Sequence, residues 1–176
     1  MKKYILLSFL LFTGLASYAQ KFAYVDTEYI LKHLPEYKAA INQLNATSEQ
    51  FQKQLDVKFS EIDEMYKAYQ ADQVLLTDDM RKRRENDIIE KEKAAKEFQR
   101  KTFGPEGDLF QQRIKLLNPI QEKVSKTIAE FAKAKGLDFI FDKGSDATMM
   151  VYANTNYDLS KDVVIKLGYK PGNIEK

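Results

Sequence analysis

The chain has 176 residues, with 28 Lys and Arg against 26 Asp and Glu, one His and no Cys. The lack of Cys excludes a disulfide staple, thiol catalysis and thiolate metal sites, and a lone His is a poor start for a metal centre. Charged residues make up 31% of the chain and Trp is absent, which points to a small core joined to an extended part.

Lys2 and Lys3 precede an apolar run from Tyr4 to Leu15, and Ser17-Tyr18-Ala19 places small residues where a processing enzyme needs them. This is the layout of a secretory signal peptide over residues 1–19, too short to span a bilayer. Cleavage is expected near Ala19/Gln20. No Cys follows the run, so it does not read as a lipoprotein signal. Once Lys2 and Lys3 are removed, 26 bases face 26 acids. The mature chain is neutral, and overall charge gives no attraction for nucleic acid or an anionic membrane.

Phe22 to Asp26 is a short β-leaning run. Thr27 is read as the cap of a helical turn through Leu31, ended by Pro35. No Pro or Gly then occurs until Gly104, a strong helix signal. Along the first arm Tyr37, Ile41, Leu44, Ser48, Phe51, Leu55, Lys58, Ile62, Met65 and Tyr69 are spaced alternately by four and three. Eight of these ten are apolar or aromatic. Such a 3.5-residue period makes a narrow seam that needs one long partner.

Val74-Leu75-Leu76-Thr77-Asp78-Asp79 is the break between arms. Thr77 is a good N-cap, and the two Asp suit the positive end of the next helix. That helix is read from about Asp78 to Lys135, with sparse apolar points at Ile88, Ala95 and Phe98. Its later seam is Phe110, Ile114, Leu117, Gln121, Val124, Ile128 and Phe131. Phe103 to Asp108 interrupts it with Gly-Pro and a second Gly, as a kink or bulge, or alternatively as a loop dividing two helices. Glu36 to Asp79 carries four Lys against nine acids, whereas Arg81 to Lys101 carries nine bases against five acids. Side by side these segments complement one another, which selects the antiparallel pairing more than it stabilises it.

Gly136 ends the helix. Leu137 to Phe141 and Ala147 to Tyr152 are read as two strands of a hairpin joined by a Gly-containing loop. Ser160 then caps a last helix to about Leu167. The expected organisation is therefore a β-rich oligomerisation body from residues 20–35 and 136–168, a helical hairpin arm from 36–135, and a flexible tail from 169–176. The fold class is α+β, with a long antiparallel coiled-coil hairpin projecting from a small sheet. An arm of about 40 residues rises roughly 60 Å. Three short strands cannot cover both their faces, so Phe22, Tyr24, Leu137, Phe139, Phe141, Met149 and Val151 are expected to drive self-association.

The opening Phe22-Ala23-Tyr24-Val25-Asp26-Thr27-Glu28-Tyr29-Ile30-Leu31 with Pro35-Glu36 resembles the start of the Skp/OmpH-like periplasmic chaperones. Gly136 to Asp142 and Tyr157 to Val164 are similar to that family's closing segments, so the resemblance runs from about Lys21 to Leu167. It implies a homotrimer whose shared β-barrel body carries three helical tentacles around a cavity. It also implies a periplasmic, ATP-independent holdase that keeps unfolded outer-membrane proteins from aggregating, with no cofactor. Better-known members are strongly basic, whereas this mature chain is neutral.

Tyr66, Tyr69, Val74, Leu75, Leu76 and Met80 near the tip exceed what the seam needs. They are candidate client contacts, with ordinary hairpin packing as the competing reading. Arg81, Lys82, Arg83 and Arg84 form a basic tip patch, a candidate for peripheral membrane or lipopolysaccharide contact, though such runs are most often a solvated face. No nucleophile elbow, phosphate-cradling Gly loop or placed acid/base pair is present, so no catalytic or metal residue is nominated. A periplasmic coiled-coil structural or adaptor protein is the alternative reading.

Overall fold

The computed structural model describes residues 20–145 and 150–172. The expected signal peptide, Met149 and the last four residues lie outside them. The chain divides into two units, one taking the residues up to Ile30 and from Ser125 onward, the other Leu31 to Val124.

In the first unit β1 (Phe22–Val25) and β2 (Phe139–Asp142) form a two-stranded parallel sheet. Its register pairs Phe22 with Phe139 and Val25 with Asp142. The pairing is extended by the Asp138 N–H to Lys21 O at 2.8 Å and the Lys143 N–H to Val25 O at 2.7 Å. Parallel strands need a long crossover, and here everything from Asp26 to Asp138 supplies it. On the other edge of β1 the Leu159 N–H donates to Tyr24 O at 2.9 Å. The inner strand is thus occupied on both sides, in keeping with its buried Ala23, Tyr24 and Val25.

Of the expected hairpin between Leu137–Phe141 and Ala147–Tyr152, the first strand pairs with β1 instead, Met150 to Tyr152 is not strand, and Ala147 to Met149 lies outside the described residues. The Asp142 carboxylate explains the change of path. It accepts from the Thr27 N–H at 3.1 Å, the Thr27 hydroxyl at 2.7 Å and the Gly144 N–H at 2.9 Å. These bonds fold the chain back over α1 (Thr27–Lys32) instead of turning it beside β2. They also move the cap. Asp26, not Thr27, accepts from the Tyr29 N–H at 2.8 Å. Ser160, at the start of α5 (Ser160–Lys166), accepts from the Asp26 N–H at 2.8 Å and donates to Asp158 at 2.5 Å. Ile30, Val163 and Val164 complete the buried set with no exposed area. Of the tail read as flexible, Tyr169 and Gly172 are hydrogen-bonded, to Val164 O and by the Tyr29 hydroxyl.

A Cβ added to Gly144 would lie 2.7 Å from Asp26 Oδ1 and 2.8 Å from Glu28 N. Gly144→Ala is therefore expected to destabilise this unit by about 1–3 kcal/mol, as overpacking does. Gly136→Asn, at φ 61° with open space around it, should cost well under half of that. Urea denaturation followed by circular dichroism checks both.

The second unit is built on α2 (Pro35–Asp72), followed by α3 (Asp78–Phe103) and the first part of α4 (Asp108–Lys135). Pro35 sits at the first turn, where its missing N–H costs nothing. None of the ten seam positions on α2 is exposed, and Leu44, Leu55, Ile62 and Tyr69 are buried. Partners fall in number along α2 as they rise along the returning chain: Tyr69 with Glu85, Glu61 with Lys91, Phe51 with Phe103, Glu36 with Lys123. Thr77 caps α3 by accepting from the Met80 N–H at 3.4 Å.

Gly104 to Gly107 separates two helices, so the divided form is the one adopted. The turn is hydrogen-bonded throughout: Gly104 N–H to Arg100 O at 2.9 Å, Gly107 N–H to Gly104 O at 2.9 Å, Gln111 N–H to Gly107 O at 3.0 Å. Its glycines answer to space. A Cβ on Gly107 would lie 2.6 Å from Lys101 O, and one on Gly104 would collide with Arg100 O. On α3 the buried line is Ile88, Ala95 and Thr102, at intervals of seven; on α4 it is Leu117 and Val124, also seven apart. From Thr102 to Leu117 is fifteen residues, one more than two heptads. The break takes up that extra residue while α2 keeps one uninterrupted seam. Between Leu117 and Val124 the buried place goes to the apolar Ile120, and the expected Gln121 is exposed. Phe110 is also left 42% exposed. Helix α4 runs through Pro119, which the sequence reading passed over; the proline forfeits one backbone bond.

Candidate functional site

The strands of the first unit place alternate side chains on one face. Phe22, Phe139 and Phe141 stand there half exposed, at 52%, 54% and 48%. Tyr157 stacks on Phe22 with ring centroids 5.3 Å apart, and Phe22, Tyr24, Phe141, Met150, Tyr152 and Tyr157 line a cavity of about 530 Å³. Val151 and Tyr152 are almost wholly exposed.

Of the residues expected to form an oligomerisation surface, Phe22, Phe139, Phe141 and Val151 are therefore uncovered and Leu137 is half-buried. Tyr24 is the correction. It is buried within the chain itself, because Asp158 and Leu159 close over the outer edge of β1. Burial raises its phenol pKa, with the Asp158 charge and hydrogen bond adding to the effect. A raised acid favours the neutral folded form, so its contribution is complete below the usual phenol range and lost as pH rises through it. Tyr157 and Tyr152 belong to the apolar surface but were missed. One lies in a short 3₁₀ turn (Thr155–Tyr157), and the other was read only as part of a strand.

At the turn between α2 and α3, Tyr69, Leu76 and Ile88 form a small core with Met65 beside it. Tyr69 and Leu76 are thus removed from the candidate client contacts, since packing against Ile88 buries both. Tyr66 and Met80 remain about half exposed, and Val74 and Leu75 stand out at 90% and 84%. The Tyr69 and Tyr66 hydroxyls donate to Glu85 and Glu92, crossing between helices. Those carboxylates raise both phenol pKa values, chiefly through the hydrogen bonds.

In the basic run, Arg81 is occupied: its guanidinium donates to Leu76 O at 3.3 Å and lies 3.9 Å from Asp78. Lys82, Arg83 and Arg84 are exposed. Asp72, Asp78, Asp79, Glu85 and Asp87 surround the four bases, so the tip carries no net positive charge. Of the two expected charge segments, Glu61 and Lys91 pair at 2.5 Å; Glu36 pairs at 2.8 Å with Lys123, beyond the basic segment, and each pair is worth about 0–1 kcal/mol where solvated. Among the described residues no three His, Cys, Asp or Glu side chains gather, and no helix is long and apolar enough to cross a membrane. Asp26, Asp142 and Asp158 each accept structural hydrogen bonds.

A family model described as "Outer membrane protein (OmpH-like)" matches residues 21–167. A crystal structure from Caulobacter crescentus, of a protein provisionally assigned as an OmpH-like outer membrane chaperone, is similar with a TM-score of 0.67. The alignment covers 90% of each chain at 16% identity, a likeness of fold. No curated protein matches.

Proposed function

The chain belongs to the OmpH-like outer membrane protein family, and from that premise we propose that it is a periplasmic, ATP-independent holdase for unfolded outer-membrane proteins. The observation that carries the reading is the extent of the family match, which spans the strands and the helical pair together. The uncovered apolar side chains supply a mechanism. In this reading Phe22, Phe139, Phe141 and Val151 are covered by two further copies, giving a homotrimer with a shared β body. Each copy contributes an antiparallel coiled-coil hairpin as an arm, and the arms enclose the client.

Holding would rest on many weak contacts acting together. Tyr66, Val74, Leu75 and Met80 offer adaptable apolar contacts that re-pack around varied partners, and enclosure keeps the strand edges of one client from pairing with another's. Lipopolysaccharide or membrane contact through Lys82, Arg83 and Arg84 is a lesser part of the proposal, because the neighbouring acids offset the charge.

The test uses the mature chain from Gln20. An outer-membrane β-barrel protein in urea is diluted into buffer with and without it, without ATP, and turbidity is followed. Suppression at about one trimer per client is expected, with light scattering giving three times the chain mass. Unchanged turbidity would sink the holdase reading and leave the adaptor reading, which requires a single defined partner.

A further inference from the structure

Beside the Gly104–Gly107 break the returning chain leaves a cleft of about 370 Å³ against α2. Ile41, Leu44, Phe103 and Phe110 give it apolar walls, and Ser48 and Arg113 provide polar groups. Its volume lies in the range of side-chain and ligand pockets, about 300–1,000 Å³. The cleft has a local cause. At this level the α2 seam offers the small Ser48 where its neighbours offer Leu44 and Phe51, and Phe110 on the returning chain is left partly outward. Two seam positions that pack poorly thus face one opening.

Arg113 is the charged residue of the lining. It is exposed, and among the described residues it has no ion-pair or hydrogen-bond partner. An apolar notch with one unspent guanidinium at its rim favours an apolar side chain next to a carboxylate, which Arg binds well through its planar fork.

We propose that this cleft is a client notch that receives an aromatic side chain flanked by acidic residues. The proposal rests on the holdase reading and deepens it, since it gives a mid-arm grip in addition to the diffuse tip contacts.

The test uses the whole mature protein and short, labelled, Ser-rich peptides read by fluorescence anisotropy. One peptide carries a Phe between two Glu, a second a Phe between two Lys, and a third an Ala between two Glu. The Phe–Glu peptide should bind about fivefold more tightly than the Phe–Lys peptide, the scale of one exposed ion pair, and the Ala peptide more weakly still. Arg113→Glu should invert the preference for flanking charge. Ser48→Phe, which fills the notch from the α2 side, should weaken both Phe peptides, with helix content checked by circular dichroism. If the charge preference is absent or survives Arg113→Glu, or if Ser48→Phe binds like the parent, the notch is overturned. The holdase reading still stands in that case so long as these variants suppress barrel aggregation. Failure of the parent protein to suppress aggregation overturns the holdase reading, and the notch with it.

Discussion

Replacing Phe139 and Phe141 together with Asp is expected to leave the protein monomeric and unable to hold an unfolded barrel protein. Both rings are about half exposed in the single chain, beside the equally exposed Phe22 and the almost bare Val151 and Tyr152. Covering the exposed half of a Phe in an assembly contributes about 1 kcal/mol, and in the proposed trimer each subunit would contribute two such rings. Asp in their place removes that gain and would bury unpaired charge at a contact, which costs several kcal/mol per group unless the contact opens. Charge on an edge strand also blocks pairing with another chain.

The fold of the chain itself should survive, because these rings lie outside its buried set of Ala23, Tyr24, Val25, Ile30, Leu159, Val163 and Val164. Circular dichroism should therefore show near-parental helix content while sedimentation at micromolar concentration shows one chain mass. Phe139→Ala alone should weaken assembly in a concentration-dependent way. A double variant that sediments as the parent would place the assembly surface elsewhere.

Much of the helical part was legible from residue spacing because a seam is a local periodic signal. All ten seam positions on α2 are at least partly buried, and Thr77 and Gly136 mark ends by chemistry that acts within a few residues. The strands were harder. Phe22 and Phe139 are partners across 117 positions, and nothing local in either segment tells a parallel partner from a hairpin partner. The deciding group was Asp142, whose bonds to Thr27, 115 positions away, depend on a contact that no window of the sequence contains.

The candidate site divides in the same way. Alternation in β1 and β2 was enough to put Phe22, Phe139 and Phe141 on one face. It could not show that Asp158 and Leu159 would cover Tyr24, or that Ile88 would draw Tyr69 and Leu76 inward. Gln121 failed for a further reason: steps of four then three and of three then four both lead from Leu117 to Val124, and the apolar Ile120 takes the buried place between them.

The residue count across the break leads to the second expected result. Replacing Gly104–Gly107 with four helix-forming residues should destabilise the helical pair, whereas replacing it with three should stabilise it. Four residues make α3 and α4 one continuous helix with fifteen residues from Thr102 to Leu117. The surplus residue over two heptads rotates one half by about 100° relative to the other. Leu117, Ile120 and Val124, all buried, then leave the seam, each at about 1.5–3 kcal/mol. The loss would exceed what removing Pro105 and two glycines returns, about 0.5–1 kcal/mol for each Gly. Three residues restore fourteen, so both halves face α2 and the propensity gain remains.

The chain has no Cys, so engineered pairs can report the register without background. Glu61→Cys with Lys91→Cys marks the distal half and Glu36→Cys with Lys123→Cys the proximal half, at sites where ion pairs now join the helices. The parent and the three-residue variant should cross-link at both, the four-residue variant at only one, with a melting temperature below the parent's. If the four-residue filler cross-links at both sites and melts no lower than the three-residue one, the break does not correct a phase. The glycines would then be explained by their close approach to the Arg100 and Lys101 carbonyls alone.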